Sequence, residues 1–470
     1  MTKAITADIC IIGAGSAGLS VAAGAAQLGR KVVLIEKGEM GGDCLNTGCV
    51  PSKALIAAAA RAHAMRNAGK FGLKPVEPEI DFGAVMDHVD GVIASIAPID
   101  SQERFEGLGV TVLREHASFA GPRQVKTETA TVAAKHFVIA TGSAPFIPPI
   151  NGLGETAFFT NETIFKNRTL PEHLIVIGGG PIGVELAQAH RRLGAKVTLV
   201  EGETILNKDD PELVEVVRAQ LKEDGVDIIE QAMVEAVSAA GGGVELKAGG
   251  RTISGSHLLV AVGRKPTVDG LNLKAAGIDY DKSGIKTDGA LRTSNKRIYA
   301  IGDVRGGLQF THVAGYHASV VIRGMLFKMP ATNNDSQAPW VTYSDPELAQ
   351  VGLTEAAARE RHGNVRTVRA TFADNDRAEA MRDTRGLIKV TTAKDGTILG
   401  ASIVGPGAGD LIQSWAFAIS NRQKIKAFTN MIAPYPTRGE ISKRAAGAWY
   451  TPALFSNRTK MLVSLLSVFD

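Results

Sequence analysis

A pattern of strand, glycine-rich turn, helix, strand and terminal acid occurs twice in this chain of 470 residues, and it limits the fold more than any other feature. The first copy carries GAGSAG at Gly13–Gly18 and ends at Glu36. The second carries GGGPIG at Gly178–Gly183 and ends at Glu201. Matched positions share one offset of 165 residues. The common offset indicates a duplicated unit and predicts an α/β fold with two similar parallel-sheet domains.

Each unit has the chemistry of a dinucleotide site. The first glycine permits a tight turn, the second lets the backbone approach a pyrophosphate, and the third lets the helix pack closely on the strand. The helix N-terminus then faces the phosphates, and the terminal acid suits a ribose diol. The alternative is a pair of glycine-rich turns in an ordinary α/β fold, but two copies in the same context favour two Rossmann-like domains. The predicted binding residues are Gly13, Gly15, Gly18, Glu36, Gly178, Gly180, Gly183 and Glu201.

The acid that ends the second unit bears on the choice of nicotinamide cofactor. A carboxylate at Glu201 accepts hydrogen bonds from a free ribose but repels the 2′-phosphate of NADP. No arginine follows it immediately. The sequence therefore favours NAD(H) over NADP(H), an interpretation that neighbouring loops can overturn.

Two of the three cysteines lie close together just after the first unit. The segment GGDCLNTGCVPSKAL, residues 41–55, places four residues between Cys44 and Cys49. Pro51 and the alanine-rich run after it predict a helix that begins near Cys49. A thiolate there is stabilised by the helix N-terminus, so its pKa should fall. A redox-active pair is favoured over a structural disulfide, which the expected compartment disfavours, and over a zinc site, which lacks two further ligands nearby; no metal ligands are predicted.

Composition narrows the class of protein. The formal net charge is +4, and without a clustered basic face nucleic-acid binding is not expected. Three cysteines are too few for a disulfide scaffold, and the N-terminus lacks the features of a signal peptide. We expect no segment as long as a membrane span. These observations predict a cytoplasmic protein of several domains.

The motifs resemble those of the class I flavoprotein disulfide reductases, and the likeness covers nearly the whole chain. IATG at Ile139–Gly142 resembles the family's loop between the FAD and NAD domains, and VGRKP at Val262–Pro266 resembles the return loop. TSNKRIYAIGD at Thr293–Asp303 resembles the second FAD motif, and the sequence from Trp340 onward resembles the dimerisation domain. The resemblance implies a glutathione reductase-like α/β fold with a C-terminal α+β dimerisation domain.

The resemblance also implies domain boundaries, cofactors and an assembly. The FAD-binding domain would consist of residues 1–150 and 271–338, with the NAD(P)-binding domain at 151–270 between them. Residues 339–470 would form the dimerisation domain. FAD and NAD(H) are the expected cofactors, and a homodimer is the expected assembly.

The family's functional residues carry over to matching positions. Cys49, nearer the flavin, would be the charge-transfer thiol, and Cys44 would be the interchange thiol that faces the substrate. Lys53 would lie beside the flavin N5 and pair with Glu185 where the nicotinamide stacks. Further cofactor contacts are implied at Thr141, Gly142, Gly263, Asp303 and His312.

The chain departs from the family pattern near its C-terminus. Disulfide-reducing members carry HPTxxE there, a catalytic base supplied by the partner subunit, whereas this chain reads YPTRGE, with Tyr435 and Glu440 in the histidine and acid positions. A tyrosine with a pKa near ~10 exchanges protons poorly at pH 7. Mercuric reductases resemble this chain in having tyrosine there, but they also carry a C-terminal cysteine pair, and no cysteine follows Cys49 here.

The resulting functional hypothesis leaves the acceptor open. We expect an enzyme that passes electrons from NAD(P)H through FAD and a Cys44–Cys49 disulfide to a small disulfide or a thiol-ligated metal ion. The alternatives are a diaphorase or quinone reductase, whose flavin reduces the acceptor directly, and a redox-sensing flavoprotein.

Apolar residues at the C-terminus recur at helical spacing. They predict a helix that packs in the dimer or, alternatively, contacts a membrane, although its polar face lacks a lysine cluster. These residues are Leu462, Leu465, Leu466 and Phe469.

Overall fold

The computed structural model describes residues 2–469, which form two compact units. The larger unit holds residues 2–66, 76–202 and 232–335. The second unit holds residues 67–75, 203–231 and 336–469. Both glycine motifs and the cysteine pair therefore belong to the larger unit.

The first strand of the chain lies inside a seven-stranded mixed sheet. Lys3–Ile12 pairs in parallel with Val32–Ile35 on one side and with Ala130–Ile139 on the other. Thr111–Leu113 pairs in parallel with Val32–Ile35, whose four residues are all buried. Ile298–Ala300 pairs in parallel with Ala130–Ile139, so a distant segment completes the first domain.

A second parallel sheet carries the second glycine motif. His173–Ile177 pairs in parallel with both Lys196–Val200 and His257–Val260. Almost all residues of these strands are buried and apolar, as expected where helices cover both faces of a parallel sheet. Between Lys196–Val200 and His257–Val260 in sequence, the chain forms an antiparallel sheet of three strands. These strands are Val234–Ala240, Gly243–Ala248 and Arg251–Gly255.

Short strands and seven α-helices complete the described part of the larger unit. The short strands are Ser118–Gly121, Gln124–Lys126, Ser143–Pro145, Arg264–Pro266, Tyr280–Asp281 and Gly284–Ile285. The α-helices are Ser16–Gln27, Gly42–Asn46, Cys49–Arg66, Phe82–Asp100, Gln102–Gly107, Pro181–Arg192 and Thr311–Met325.

The second unit is built on a five-stranded antiparallel sheet. Its strands, in sheet order, are Trp340–Thr342, Glu347–Gly352, Ile398–Gly405, Leu387–Ala393 and Val365–Thr371. The unit also holds the strand Val226–Ile229 and the helices Pro211–Glu223, Glu355–His362, Asp376–Ala380, Ala408–Ser420, Lys426–Asn430, Glu440–Leu454 and Asn457–Leu466. The fully buried Trp415 stacks on Phe428 in its core, with ring centroids 3.8 Å apart.

A buried lysine connects the helix Pro211–Glu223 to this sheet. Nζ of Lys389 lies 2.8 Å from Asp210, 3.0 Å from Glu212 and 2.9 Å from Glu355. Its residue is 6% exposed, so the three carboxylates compensate a charge that water does not reach well. The segment 203–231 is therefore fixed to the second unit by charge as well as by packing.

The helical run Phe82–Gly107 corrects one expectation from the sequence. It is 26 residues long, with a mean hydropathy of 1.3 in its most apolar window, which by length and composition is enough to cross a membrane. Two of its acids, Asp87 and Asp90, form ion pairs with Arg168 at 3.0 and 2.9 Å. The side chains of these two acids are 73% and 56% exposed, so the helix presents a charged face at the surface and an apolar face elsewhere, as an amphipathic helix does.

The predicted fold class is confirmed. The chain has a mixed α/β architecture in which one mixed and one parallel sheet carry the duplicated glycine motifs, followed by a C-terminal domain with an antiparallel sheet.

Candidate active site

The cysteine segment packs backbone to backbone on the first glycine turn. The N–H of Gly41 donates to the carbonyl of Ala14 at 2.9 Å. Gly42 has a φ of +60°, and a Cβ on it would lie 2.8 Å from the Cα of Gly15. Glycines at these positions therefore allow the segment before the cysteines to contact the predicted pyrophosphate turn.

The two thiols contact each other and a threonine hydroxyl. Cys44 lies in the short helix Gly42–Asn46, and Cys49 is the first residue of the helix Cys49–Arg66. Both are free thiols within hydrogen-bonding distance of each other. Sγ of Cys49 also lies 3.5 Å from Oγ1 of Thr311.

The contacts give the two cysteines opposite acidities. A hydrogen bond with Cys44, then one with Thr311 and the charge of Lys53, lower the pKa of Cys49 to about 6, against burial and the charge of Asp43. The hydrogen bond with Cys49, then burial, raise the pKa of Cys44 above its ordinary value. At neutral pH, Cys49 is the thiolate and Cys44 is the thiol that donates to it.

Lys53 and Glu185 form an ion pair next to the cysteines. Lys53 lies one helical turn after Cys49, and Glu185 belongs to the helix Pro181–Arg192 that follows the second glycine motif. Their Nζ and Oε2 atoms are 2.8 Å apart, with side chains 36% and 6% exposed. The pair therefore joins the cysteine helix to the second dinucleotide unit.

Asp303 belongs to a chain of polar contacts that ends at the cysteine segment. Its Oδ2 accepts a 2.7 Å hydrogen bond from the hydroxyl of Ser143. Arg264 donates to the same hydroxyl at 2.7 Å and approaches Asp43 at 3.4 Å. Burial raises the pKa of Asp303, against the hydrogen bond from Ser143 and the charge of Arg264.

Sequence reasoning missed the polar partners in this chain of contacts. Asp43 accepts hydrogen bonds from Thr47 at 2.8 Å and from the buried Asn161 at 3.2 Å. Asp43 and Arg264 lie inside the cysteine motif and the return-loop motif, so the sequence could have marked both as residues of the site. Ser143 and Asn161 lie outside those motifs, and only the folded chain brings them here.

The residues predicted in the loop between the FAD and NAD domains and in the return loop hold these two chain segments together. Thr141 donates its hydroxyl to the carbonyl of Thr267 at 2.7 Å, and the carbonyl of Gly142 accepts from the N–H of Thr267 at 3.0 Å. Gly142 and Gly263 have φ values of +68° and +124°, which favour glycine. The strands that follow, Ser143–Pro145 and Arg264–Pro266, pair antiparallel.

His312 lies at the start of the helix whose first residue contacts Cys49. That helix is Thr311–Met325. The exposed imidazole of His312 stacks on Phe310 with ring centroids 5.3 Å apart. The helix N-terminus itself therefore lies beside the thiolate, where its partial positive charge stabilises negative charge.

The two glycine turns repeat each other in detail. Gly13 and Gly178 have φ values of +104° and +108°, and a Cβ on either would lie 2.3 or 2.5 Å from a carbonyl oxygen of a neighbouring segment. A Cβ on Gly18 or Gly183 would lie 1.9 Å from the carbonyl oxygen of the first glycine in its own motif. At Gly180 a Cβ would meet no atom within 4 Å. The first and third glycines thus serve packing, whereas the second borders open space, as a pyrophosphate cradle requires.

The terminal acids also occupy equivalent positions. Oε2 of Glu36 accepts a hydrogen bond from the N–H of Ala14, and Oε2 of Glu201 accepts one from the N–H of Gly179, both at 2.6 Å. Each carboxylate is thereby held at the mouth of its glycine turn. Both turns fit a dinucleotide.

Tyr435 and Glu440 lie in the second unit and have separate partners. Tyr435 is 70% exposed, and its hydroxyl donates to Oδ2 of Asp376 at 2.8 Å. That hydrogen bond, then the charge of Asp376, raise the pKa of Tyr435 above its ordinary value. Oε2 of Glu440 accepts from the N–H of Thr437 at 3.1 Å. The phenol therefore stays protonated at neutral pH and acts as a donor.

Resident metal ligands were not predicted from the sequence. Within residues 2–469, no group of three or more histidine, cysteine, aspartate or glutamate side chains is arranged to hold a metal ion.

Comparison with known proteins places the whole arrangement in one family. The model of the pyridine nucleotide-disulphide oxidoreductases matches residues 7–318, and that of their dimerisation domain matches residues 338–446. A mercuric reductase of Streptomyces lividans is 35% identical over 451 residues, 93% of this chain and 95% of that protein. A dihydrolipoyl dehydrogenase of Geobacillus stearothermophilus is 35% identical over 454 residues, 94% of this chain and 96% of that protein.

A solved structure shares the fold over nearly the same length. It is the Cu(II) complex of RclA from Escherichia coli, a HOCl-induced flavoprotein disulfide reductase, with a TM-score of 0.84 and 28% identity. The match covers 93% of this chain and 98% of RclA. The family implies FAD and a pyridine nucleotide, for which the two glycine turns provide fitting sites.

The acidity of Cys49 leads to a direct test. We expect the alkylation rate of the reduced protein by iodoacetamide to rise with a midpoint near pH 6, because the pKa of Cys49 is lowered to about 6 from 9.0. Cys44→Ala should move the midpoint upward by removing the strongest contribution, and Lys53→Met should move it upward by less. Mass spectrometry locates the alkylated residue. A parent midpoint near 9, or one that Cys44→Ala leaves unchanged, contradicts this electrostatic account.

Proposed function

Because the chain belongs to the pyridine nucleotide-disulphide oxidoreductase family, we propose that it transfers electrons from NAD(P)H to a small acceptor through Cys44 and Cys49. The single observation that carries this proposal is the position of Cys49, which begins a helix, lies 3.5 Å from Oγ1 of Thr311 and precedes by one helical turn the Lys53 that pairs with Glu185. Cys49 is stabilised as an anion, and Cys44 is its protonated partner, which must lose its proton before it can attack an acceptor.

The residues around the pair support this division of roles. When bound, FAD accepts two electrons from the nicotinamide and delivers them to the cysteines. Thr311 and Lys53 hold Cys49 as the thiolate. Glu185 fixes the ammonium of Lys53 at 2.8 Å, which keeps both charges in place in a half-buried site. Cys44, with its raised pKa, keeps its proton until an acceptor binds.

We propose NADH as the electron donor. Glu201 is held at the second glycine turn by the N–H of Gly179, which supports a role for its carboxylate in binding the adenosine ribose of a dinucleotide. A free ribose can donate to it, whereas a 2′-phosphate would be repelled. A comparison of NADH and NADPH as donors tests this assignment.

We propose that the acceptor is a thiol-ligated metal ion rather than a disulfide. Reduction of a disulfide, RSSR + NADH + H⁺ → 2 RSH + NAD⁺, requires protons on both product thiols. Reduction of a metal ion, 2 Cu²⁺ + NADH → 2 Cu⁺ + NAD⁺ + H⁺, requires no proton on the product. Tyr435, held as a donor by Asp376, is poorly suited to exchange protons at neutral pH. The Cu(II) complex of RclA supports this proposal to the extent that a structural relative binds a metal ion of this kind of charge, Cu(II).

A second candidate function is direct reduction of quinones by the flavin. It would leave both cysteines dispensable, as would a diaphorase activity. A redox-sensing flavoprotein would show negligible turnover with a broad set of acceptors and would bind a partner according to the state of its cysteines.

A homodimer is the assembly that we propose, with the C-terminal helix as part of its interface. The dimerisation-domain match ends at residue 446, inside the helix Glu440–Leu454. The helix Asn457–Leu466 follows directly, and none of its residues is buried within the chain. Its exposed large apolar side chains are Met461, Leu462, Val463, Leu465 and Leu466, and Val468 and Phe469 continue the surface. Continuity with the dimerisation domain favours a second copy as the partner of this surface.

Substitution of Cys44 tests the cysteine route. We expect Cys44→Ser to lower turnover of Cu(II) by at least about a hundredfold, because the exchange nucleophile is lost. NADH should still reduce the flavin under anaerobic conditions, which is measured by bleaching of its absorption. Quinone turnover serves as the internal control. Full Cu(II) turnover by Cys44→Ser would exclude the cysteine route and favour direct reduction by the flavin.

Replacement of Tyr435 tests the choice between acceptor classes. We expect Tyr435→His to raise lipoamide or glutathione disulfide turnover by roughly tenfold or more, because a histidine exchanges protons near neutrality. Tyr435→Phe is the matched control and should not raise it. The panel also includes coenzyme A disulfide, Hg(II), Cu(II) and quinones. If the histidine variant gains nothing with any disulfide, proton exchange is not what limits the parent.

Truncation of the C-terminal helix tests the assembly. We expect removal of residues 456–470 to raise the dimer dissociation constant by at least about tenfold, because exposed apolar surface no longer gains a partner. Sedimentation velocity over a range of concentrations measures this constant. Leu462→Ser with Leu465→Ser and Leu466→Ser is a second variant that keeps chain length. An unchanged dimer, together with binding of the full chain to anionic vesicles, would instead support the membrane alternative.

A further inference from the structure

A buried histidine lies directly behind the turn that carries Asp303. His317 belongs to the helix Thr311–Met325 and is 0% exposed. Its Nδ1 accepts a 3.1 Å hydrogen bond from the N–H of Gly302, the residue before Asp303. Because Nδ1 accepts, the proton of the neutral ring is on Nε2.

The other ring nitrogen faces an acid that holds the end of the same turn. Nε2 of His317 lies 3.6 Å from Oδ2 of Asp335. That oxygen accepts hydrogen bonds from Arg305 at 2.7 Å and from Asn333 at 3.0 Å. Arg305 is the last residue of the 3₁₀ turn Gly302–Arg305. His317 and Asp335 therefore hold the two ends of the turn, and they face each other.

The turn depends on these external contacts because its own geometry is unusual. Gly302 has a φ of +69°, in the left-handed region, and is buried. A Cβ there would contact Ala17 and Ala314 at 3.4 and 3.5 Å. A buried N–H without an acceptor costs free energy comparable to its full desolvation, so loss of Nδ1 would favour a different path for residues 302–305.

We propose that His317 is a positioning residue for FAD. Through Nδ1 it fixes the backbone of Gly302, and this backbone aims the carboxylate of Asp303, which Ser143 and Arg264 orient from the other side. The inference rests on the proposed role of Asp303 in binding FAD, and it does not depend on which acceptor the enzyme reduces. No contact of His317 with the flavin is required.

Protonation of the ring would remove the acceptor. Burial, then the positive charge of Arg305, lower the pKa of His317 to about 4. The negative charge of Asp335 and the neighbouring polar groups of Asp335 and Asn333 oppose this shift. In the unfolded chain a histidine titrates near ~6.5. The contribution of neutral His317 is therefore complete above this pH and is lost as the pH falls towards 4.

The test measures FAD binding to apoprotein rather than turnover. Flavin fluorescence quenching gives the FAD dissociation constant for four variants. We expect His317→Leu to raise it by roughly tenfold, because Gly302 loses its acceptor. His317→Asn places an acceptor oxygen where Nδ1 lies and should stay within about threefold of the parent, whereas His317→Gln places its oxygen nearer the position of Nε2 and should be weaker than His317→Asn. Asp303→Asn reports separately on the acid itself.

A matched control separates positioning from general loss of stability. His190 is also a fully buried histidine, and it hydrogen-bonds the carbonyl of Leu186 in the second dinucleotide unit. His190→Leu should lower the thermal unfolding temperature of the apoprotein without weakening FAD binding. A measured pH profile adds a second criterion, because the loss of FAD affinity as the pH falls towards 4 should be smaller in His317→Asn than in the parent.

The outcomes distinguish a wrong role for Asp303 from a wrong inference about His317. If Asp303→Asn leaves FAD affinity unchanged, the proposed role of Asp303 is wrong. If Asp303→Asn weakens FAD but His317→Leu does not, the inference about His317 is wrong. If His317→Leu does not fold, equal affinities of His317→Asn and His317→Gln overturn the inference, and the expected order between them supports it.

Discussion

The arrangement of the site depends first on the ion pair between Lys53 and Glu185. Lys53 comes from the helix that follows the first copy of the duplicated unit and Glu185 from the helix within the second copy, and their charged atoms are 2.8 Å apart. A carboxylate as buried as Glu185 needs a compensating charge. A shift of the cysteine helix would separate this carboxylate from the ammonium of Lys53 and would therefore cost free energy. The same ammonium contributes to the low pKa of Cys49. This contact thus joins the two repeats and adds to the acidity of Cys49, to which the hydrogen bond with Cys44 contributes most.

Much of this framework could be predicted because it repeats. The duplicated glycines, the terminal acids Glu36 and Glu201, and the helix beginning at Cys49 follow from local rules of turn geometry and helix capping. Contacts that cross the fold could not be predicted in this way. Asn161 reaches Asp43 from 118 residues away, and Asp376 meets Tyr435 across 59 residues, with no local pattern to mark either pair.

The replacement of histidine by tyrosine changes the kind of chemistry available and not only its rate. Asp376 binds the phenol hydroxyl and raises its pKa, so the side chain presents a fixed hydrogen-bond donor. A donor can orient a ligand or stabilise an anion, but it does not carry protons back and forth near neutrality. The proposed metal acceptor, which takes electrons without protons, is compatible with such a donor.

The buried Lys389 has a consequence for the modular use of this fold. Its carboxylate partners Asp210 and Glu212 lie far from it in sequence, in a segment that precedes the C-terminal sheet by more than a hundred residues. A chimera joined between the nucleotide-binding and C-terminal regions would inherit the lysine without these acids. A junction at that point would therefore leave the buried Lys389 with Glu355 but without its other two acids, and compatible exchange requires the segment 203–231 to be transferred with residues 336–469.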